Sequence, residues 1–250
     1  MPHDMESVAE VVRAARRILF VTGAGISADS GLPTYRGVAG LYNDEHCEDG
    51  VPIEVALSGG MFQTRPEVAW RHIARIEEAC RGAAPNRAHQ VIAELEAGGR
   101  EVLVLTQNVD GLHRRAGSTR VIDIHGDIST LYCPRCAWRE TVSDYSHLTV
   151  PPPCPVCGAV IRPDVVLFGE MLDPAKLARL EAELDRGFDV VFSVGTSSLF
   201  AYILEPLFVA QERGIPTVEI NPGETDASSM VDHRLQMGAA AALGALAELL

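Results

Sequence analysis

Five short runs of β-branched and aliphatic residues, each separated from the next by helical or loop-forming stretches, constrain this chain more than any other feature. They are Ile18–Val21, Val102–Leu105, Val121–Ile124, Val190–Val194 and Thr217–Ile220. The runs are almost continuously apolar rather than alternating, which is the pattern of parallel strands buried on both faces. Apolar spacing predicts helices over Met5–Arg16, Pro66–Ala79, Asn86–Ala97, Pro174–Leu184, Ile203–Arg213 and Ala239–Leu249. Gly98-Gly99 and Gly214-Ile215-Pro216 supply stops after two of them. Such alternation reads as an α/β fold with a doubly wound parallel sheet. A length of 250 residues, 47% of them hydrophobic, suffices for one large domain with a small satellite.

One stretch breaks the pattern. From Tyr132 to Pro163 the chain is rich in proline and cysteine and shows little periodicity, as expected of a small insertion held by something other than an apolar core. Cys133-Pro134-Arg135-Cys136 and Cys154-Pro155-Val156-Cys157 are two C-x-x-C pairs separated by 17 residues, the spacing of a four-thiolate zinc ribbon. Four thiolates complete a tetrahedron and leave no place for water, so the metal reading is one structural Zn²⁺. The domain reading is therefore residues 1–131 and 164–250 for the large domain and 132–163 for the zinc module. Cys47 and Cys80 fall outside the scheme and read as ordinary thiols.

Charge narrows the partners. Twenty-one basic against 34 acidic side chains give a net charge of −13, which opposes sequence-blind binding to nucleic-acid backbones. The longest apolar run, Val190–Val209, is interrupted by Gly195–Ser198 and Glu205-Pro206, so no membrane span is expected. The N-terminus lacks the basic-then-apolar order of a secretory signal, and the expectation is a cytoplasmic protein.

In open α/β sheets ligands bind beyond the carboxyl ends of the strands. Here all five ends carry small or polar residues: Thr22–Gly31, Thr106–Gly111, His125–Asp127, Gly195–Ser198 and Asn221–Gly223. Gly23-Ala24-Gly25-Ile26-Ser27-Ala28 fits G-x-G-x-x-G/A, in which glycines let the backbone approach a pyrophosphate; glycines there also serve a plain tight turn. A nicotinamide dehydrogenase would need a second strand ending in an acidic residue about 20 positions on. The sequence after Gly31 reads as loop, which weakens hydride transfer while sparing dinucleotide binding. His125 is a candidate general base, with strand capping as the plainer reading. Asn108 and Asp110 lie in an Asn-x-Asp-Gly turn that gains meaning only beside the other polar strand ends.

Taken together, GAGISADSGLPTYRG, TQNVDGLHRRAG, the His-Gly-Asp after a strand, both C-x-x-C pairs, RPDVVLFGE, GTSS and the late Ile-Asn resemble the sirtuins, over about Ile18 to Asn221. The resemblance implies an NAD-dependent protein-lysine deacylase that transfers the acyl group to ADP-ribose and releases nicotinamide. It implies a substrate cleft between a Rossmann-type NAD domain and a small zinc domain whose helical part falls within residues 38–80. By the same resemblance, Gly23, Ala24, Gly25 and Ile26 form the phosphate- and nicotinamide-side loop, and Tyr35 and Arg36 belong to a cofactor-binding loop. Gln107, Asn108 and Asp110 line the ribose and nicotinamide pocket, with Asn108 and Asp110 assisting catalysis. Gly195, Thr196, Ser197 and Asn221 are adenosine-side contacts, joined by the backbone near Ala240. His125 matches the catalytic base, and Val166, Leu167, Phe168 and Gly169 match a segment that pairs with an acyl-lysine peptide in β-augmentation.

Two departures matter. Tyr35 stands where the family usually has Phe. Members that remove succinyl or malonyl groups carry Tyr-x-x-Arg on the helix that here begins at Pro66, and the register set by Pro66 and Trp70 puts Ile73 and Ile76 at those positions. An apolar wall leaves a carboxylate unsatisfied, which favours acetyl or longer neutral acyl groups; a shifted register offers His72-x-x-Arg75 and keeps acidic acyl groups open. The competing functions are an NAD hydrolase or mono-ADP-ribosyltransferase and a non-catalytic NAD- or zinc-based interaction protein.

Overall fold

The computed structural model describes residues 2–34 and 50–250. The chain runs α1 (Pro2–Ala14), β1 (Arg17–Thr22), a short 3₁₀ helix (Ala24–Ser30), α2 (Ile53–Ala56), α3 (Gly59–Thr64), α4 (Pro66–Cys80), α5 (Arg87–Ala97), β2 (Glu101–Thr106) and α6 (Leu112–Ala116). It continues through β3 (Val121–Asp123), β4 (Gly126–Tyr132), β5 (Arg139–Thr141), β6 (Arg162–Val165), α7 (Pro174–Arg186), β7 (Val190–Val194), α8 (Ala201–Glu212), β8 (Thr217–Ile220), β9 (His233–Leu235) and α9 (Ala239–Ala247). None of the described helices is long and apolar enough to cross a membrane.

All five expected strands form, and all pair in parallel in one sheet of order β3-β2-β1-β7-β8-β9. The sixth strand, β9, escaped the sequence pattern because His233-Arg234-Leu235 is a three-residue edge with a single apolar side chain. Burial explains the continuous apolar runs. In β1, Ile18 and Phe20 join one core with α1, α5 and α9, while Leu19 and Val21 join a second core with α7 and α8. Successive residues of a strand point to opposite faces, so a sheet covered on both sides needs apolar residues at every position. Phe20 stacks on Phe192 of neighbouring β7 with centroids 4.8 Å apart.

The order of strands places a reversal at the centre. From β1 the chain steps outward through β2 to β3, then returns to the other flank of β1 with β7 and steps outward again through β8 and β9. The crevice beyond β1 and β7 is thus the topological switch point, where ligands bind in such sheets.

Between β3 and β7 the chain builds a three-stranded antiparallel sheet, order β5-β4-β6, spanning Gly126 to Val165 and framing the cysteine-rich stretch. One expectation is corrected here: this module does have an apolar core. Ile128, Leu131, Tyr145, Ala159 and Ile161 cluster with Phe62, Ala69, Trp70 and Ile73 of α3 and α4, and the Trp70 indole N–H donates to the Ile161 carbonyl at 2.8 Å. Periodicity misses this core because part of it comes from helices more than 50 residues away in sequence.

Candidate active site

The loops after β1 and β7 meet almost backbone to backbone. Gly25 N–H donates to the Gly195 carbonyl at 2.8 Å, and Gly23 N–H donates to that of Val194 at 3.1 Å. A Cβ placed on Gly25 would lie 2.7 Å from the Gly195 Cα, and one on Gly23 would lie 2.8 Å from the Thr196 Cβ. Gly195 itself takes φ +59. The Gly-x-Gly spacing is therefore required first by the packing of two strand ends, which brings both loops to the rim of one crevice.

Beyond that contact a polar network joins the strand ends. Asn108, after β2, donates from Nδ2 to the Gly23 carbonyl and to Ser27 Oγ, both at 3.1 Å. Ser27 is fully buried on the 3₁₀ helix, and its hydroxyl donates to Asp110 Oδ2 at 2.7 Å. The other Asp110 oxygen accepts the Leu112 N–H at 2.9 Å, fixing the start of α6. Burial raises the Asp110 pKa above the ordinary carboxylate value, against the pull of the Leu112 N–H and the Ser27 hydroxyl. Ala24, Ser27, Asn108 and Asp110, with Ile76 and Cys80 from α4, line one cleft. Asn86 braces the 3₁₀ helix by donating to the Ile26 carbonyl at 2.8 Å and to Ser30 Oγ at 3.0 Å.

On the β7 side, Gln107 Nε2 donates to Thr196 Oγ1 at 2.7 Å, and Asn221 Nδ2 donates to the Thr196 carbonyl at 3.2 Å. Ser197 is exposed beside them. Thr196 Oγ1 also accepts the N–H of Ser198, a non-glycine residue held at φ 60. Ala240 stands apart from this group: its N–H points to Asp29 Oδ2 at 3.3 Å, where α9 packs on the 3₁₀ helix. Tyr35 and Arg36 lie outside the described residues.

His125 sits where the chain leaves the large sheet for the small one. Gly126 makes the crossing possible: it adopts φ +93, and a Cβ there would fall 1.8 Å from the Asp164 carbonyl oxygen. The imidazole is gripped at both nitrogens, with Nδ1 3.0 Å from the Gln107 carbonyl and Nε2 2.6 Å from the Tyr202 hydroxyl. Burial lowers the His125 pKa, the Gln107 carbonyl opposes the shift, and the Lys176 charge adds to it. Phe200 meets the ring edge-on at 6.2 Å. Phe200 and Tyr202 were missed in the sequence, where their segment reads only as the approach to a helix.

The Val166–Gly169 segment leads away from His125, whose carbonyl accepts the Val166 N–H at 2.8 Å. Phe168 pairs with the chain itself, donating to Leu57 O and accepting from Gly59 N–H, both at 3.0 Å. Leu167 N–H donates to Glu170 Oε2 at 2.9 Å, and Arg162 holds that carboxylate at 2.6 and 2.8 Å. Gly169, at φ +80, is exposed at the end of the segment.

The four cysteines converge. Cys133, Cys136, Cys154 and Cys157 place their sulfurs within 4.8 Å of one another, with Cys133–Cys157 at 3.5 Å and Cys136–Cys154 at 3.6 Å. A tetrahedron of Zn–S bonds of about 2.3 Å has edges of about 3.8 Å, so the donor set fits zinc. In each knuckle a backbone N–H, from Arg135 or Val156, points to the first cysteine sulfur at 3.4 Å, which stabilises thiolate.

Comparison with known proteins decides the relationship. The model of the Sir2 family matches residues 23–201. The chain belongs to the Sir2 family. Among its Sir2 relatives, a protein of Pseudomonas syringae pv. tomato named NAD-dependent protein deacylase 2 is 51% identical, over 94% of this chain and 96% of the relative. A solved Sir2 homologue–NAD complex superposes with a TM-score of 0.86 at 35% identity, covering 98% of this chain and 93% of that one. A Sir2–p53 peptide–NAD⁺ complex superposes with a TM-score of 0.85 at 30% identity, covering 98% and 97%. The α/β fold expected from the sequence is that of its Sir2 neighbours, and the four expected cysteines form one cluster.

Proposed function

We propose that the chain is an NAD-dependent protein-lysine deacylase, with acyl-lysine peptides as its second substrate. The observation that carries the reading is the joining of four strand ends into one site: the β1 loop, the Asn108–Asp110 turn, the β7 loop and His125 share a continuous set of hydrogen bonds. Its residues fit a dinucleotide, because closely packed glycine loops open the switch-point crevice while buried Ser27, Asn108 and half-buried Asp110 line the adjoining cleft. The relatives' names and complexes support NAD and peptide as ligands.

In this reading Gly23, Ala24, Gly25 and Ile26 hold the phosphate and nicotinamide side, Gln107 lines the ribose and nicotinamide pocket with Asn108 and Asp110, and Gly195, Thr196, Ser197 and Asn221 hold the adenosine side. Ala240 contributes through its helix end, and Tyr35 and Arg36 through the loop outside the described residues. NAD supplies a ribosyl carbon activated by its nicotinamide leaving group. Asn108 and Asp110 provide polar and negative character where positive charge develops, in a site largely shielded from water. His125 accepts a proton from a ribose hydroxyl at Nε2, since the Gln107 carbonyl keeps the proton of the neutral ring on Nδ1. The lowered pKa keeps the base neutral and ready at physiological pH. Peptide binds main chain to main chain at the Gly169 end of Val166–Gly169, because Val166, Leu167 and Phe168 N–H groups are already engaged. The zinc module, built on Cys133, Cys136, Cys154 and Cys157, is structural, and the reading of these cysteines as zinc ligands rather than disulfides supports a reducing compartment such as the cytoplasm.

For the acyl group, Ile76 is the side chain of the register pair that lines the cleft, while Ile73 is buried in the core with Trp70. The wall is apolar there, which supports acetyl and longer neutral acyl groups over succinyl. The test is nicotinamide release over a panel of acetyl-, longer acyl- and succinyl-lysine peptides, with the His125→Ala variant alongside. Turnover with neutral acyl peptides that disappears in the variant supports the reading; a preference for succinyl refutes the acyl assignment, and unchanged turnover in His125→Ala refutes the base.

A further inference from the structure

The contact between His125 and Tyr202 is the feature that the proposed chemistry leaves unused. A carbonyl oxygen only accepts, so the 3.0 Å contact with Gln107 requires a proton on Nδ1. The neutral ring then carries its lone pair on Nε2, the nitrogen that faces the Tyr202 hydroxyl at 2.6 Å, and the phenol donates to it. Burial pushes the Tyr202 pKa up to about 12, so the donor keeps its proton throughout the working range.

The phenol is itself fixed. Tyr202 lies in the first turn of α8, packs against the apolar cluster formed by α7, α8 and the sheet, and stacks on Phe200 with centroids 5.5 Å apart and planes inclined by 13°. Both aromatic rings also meet the imidazole edge-on. Two elements distant in sequence therefore grip one imidazole from opposite sides: the backbone after β2 and the start of α8.

We propose that Tyr202 is a positioning residue for His125, which together with the Gln107 carbonyl fixes the ring plane and makes Nε2 its basic nitrogen before substrate arrives. The proposal rests on the reading of His125 as the base. A substrate hydroxyl takes the place of the phenol as donor to the same lone pair, so the exchange conserves a hydrogen bond and needs no rotation of the imidazole. The charged groups around the ring do not provide this alignment. Lys176, from α7, is committed to the Asp123 carbonyl at 2.6 Å and to Asp123 Oδ1 at 3.3 Å, and Asp123 also faces Arg114 at 3.4 Å.

Tyr202→Phe removes the hydroxyl and keeps the ring, its stacking and its packing. The first readout needs no turnover: ¹⁵N-detected spectra of the histidine rings in the free protein, assigned to His125 with the His125→Ala variant. In the parent the spectra should show Nδ1 protonated and Nε2 shifted as a hydrogen-bond acceptor; in Tyr202→Phe the Nε2 signal should move towards the position of a free acceptor. The second readout is steady-state kinetics. The phenol has left Nε2 once the substrate hydroxyl is bound, so its loss acts on the free enzyme: general base catalysis contributes roughly 10²- to 10⁴-fold, an unaligned ring forfeits part of that, and kcat/KM should fall about 5- to 20-fold. At saturation kcat should change less than about twofold, because the bound hydroxyl then holds the ring in the phenol's place. An unmoved Nε2 signal, an unchanged kcat/KM, or a kcat/KM that rises because the phenol was blocking the base would each overturn the proposal. Absence of turnover in the parent protein would instead refute the deacylase reading and leave the spectroscopic result to judge the contact alone.

Discussion

Acidification should destabilise this protein through two histidines that do not take part in the proposed chemistry. His89 is fully buried on α5, where its Nδ1 accepts the Asn86 N–H at 3.3 Å and completes a capping box normally closed by Glu or Gln. It meets His113 edge-on at 4.9 Å, and His113 in turn contacts Thr22 Oγ1 at 3.0 Å. Burial lowers the His89 pKa from 6.5 to about 4 and that of His113 to about 3, the second helped by the first. A folded-state pKa below the unfolded value means that the unfolded chain binds more protons, so stability is full above about pH 6.5 and is lost as pH falls towards 4. For His89 the shift corresponds to about 3 kcal/mol in total, of which about 2 kcal/mol is lost between pH 7 and pH 5. The assay is urea unfolding at both pH values for the parent and for His89→Asn, whose carbonyl oxygen can still accept the Asn86 N–H. The variant starts less stable because it leaves a cavity, yet its loss between pH 7 and pH 5 should be smaller by about 2 kcal/mol. Proton competition for the zinc thiolates is common to both proteins and cancels in this difference. Equal losses in the two proteins would refute the assignment of acid sensitivity to His89.

Removing zinc with a strong chelator, or substituting Cys154→Ser, should unfold the small sheet and abolish deacylation, with one zinc per chain measured in the parent; retained near-UV circular dichroism would contradict it. Gly25→Ala should cost about 1–3 kcal/mol of stability through its clash with Gly195 and weaken NAD binding measured by calorimetry. The acidic limb of kcat/KM should fall below the ordinary histidine value near 6.5, because the His125 pKa is lowered by burial; a limb above 6.5 would dissociate His125 from the titration.

The sequence is most readable where one residue type has one physical reason to be there. The five apolar runs are legible because a sheet covered on both faces accepts nothing else, and the C-x-x-C pairs because a tetrahedral metal needs two knuckles. Polar residues after every strand end locate the site because the fold itself directs ligands there. Contacts between distant segments leave no such signal. Trp70 and Ile161 belong to one core but sit 91 positions apart, and the His125–Tyr202 contact spans 77. Ser27, the hinge of the Asn108–Asp110 network, is visible in the glycine motif but acquires its role only once the Asn108–Asp110 turn folds over it. The glycines themselves carry a double meaning: the motif suggests room for a pyrophosphate, and the structure shows in addition that Gly25 and Gly195 leave each other no space for a side chain.

The central claim is tested most directly by the products formed from NAD and one acetyl-lysine peptide. The account predicts nicotinamide, deacetylated peptide and O-acetyl-ADP-ribose in equal amounts, and none of the three with His125→Ala. Free ADP-ribose accompanied by an unaltered acetyl-lysine, or ADP-ribose attached to the peptide, would contradict it.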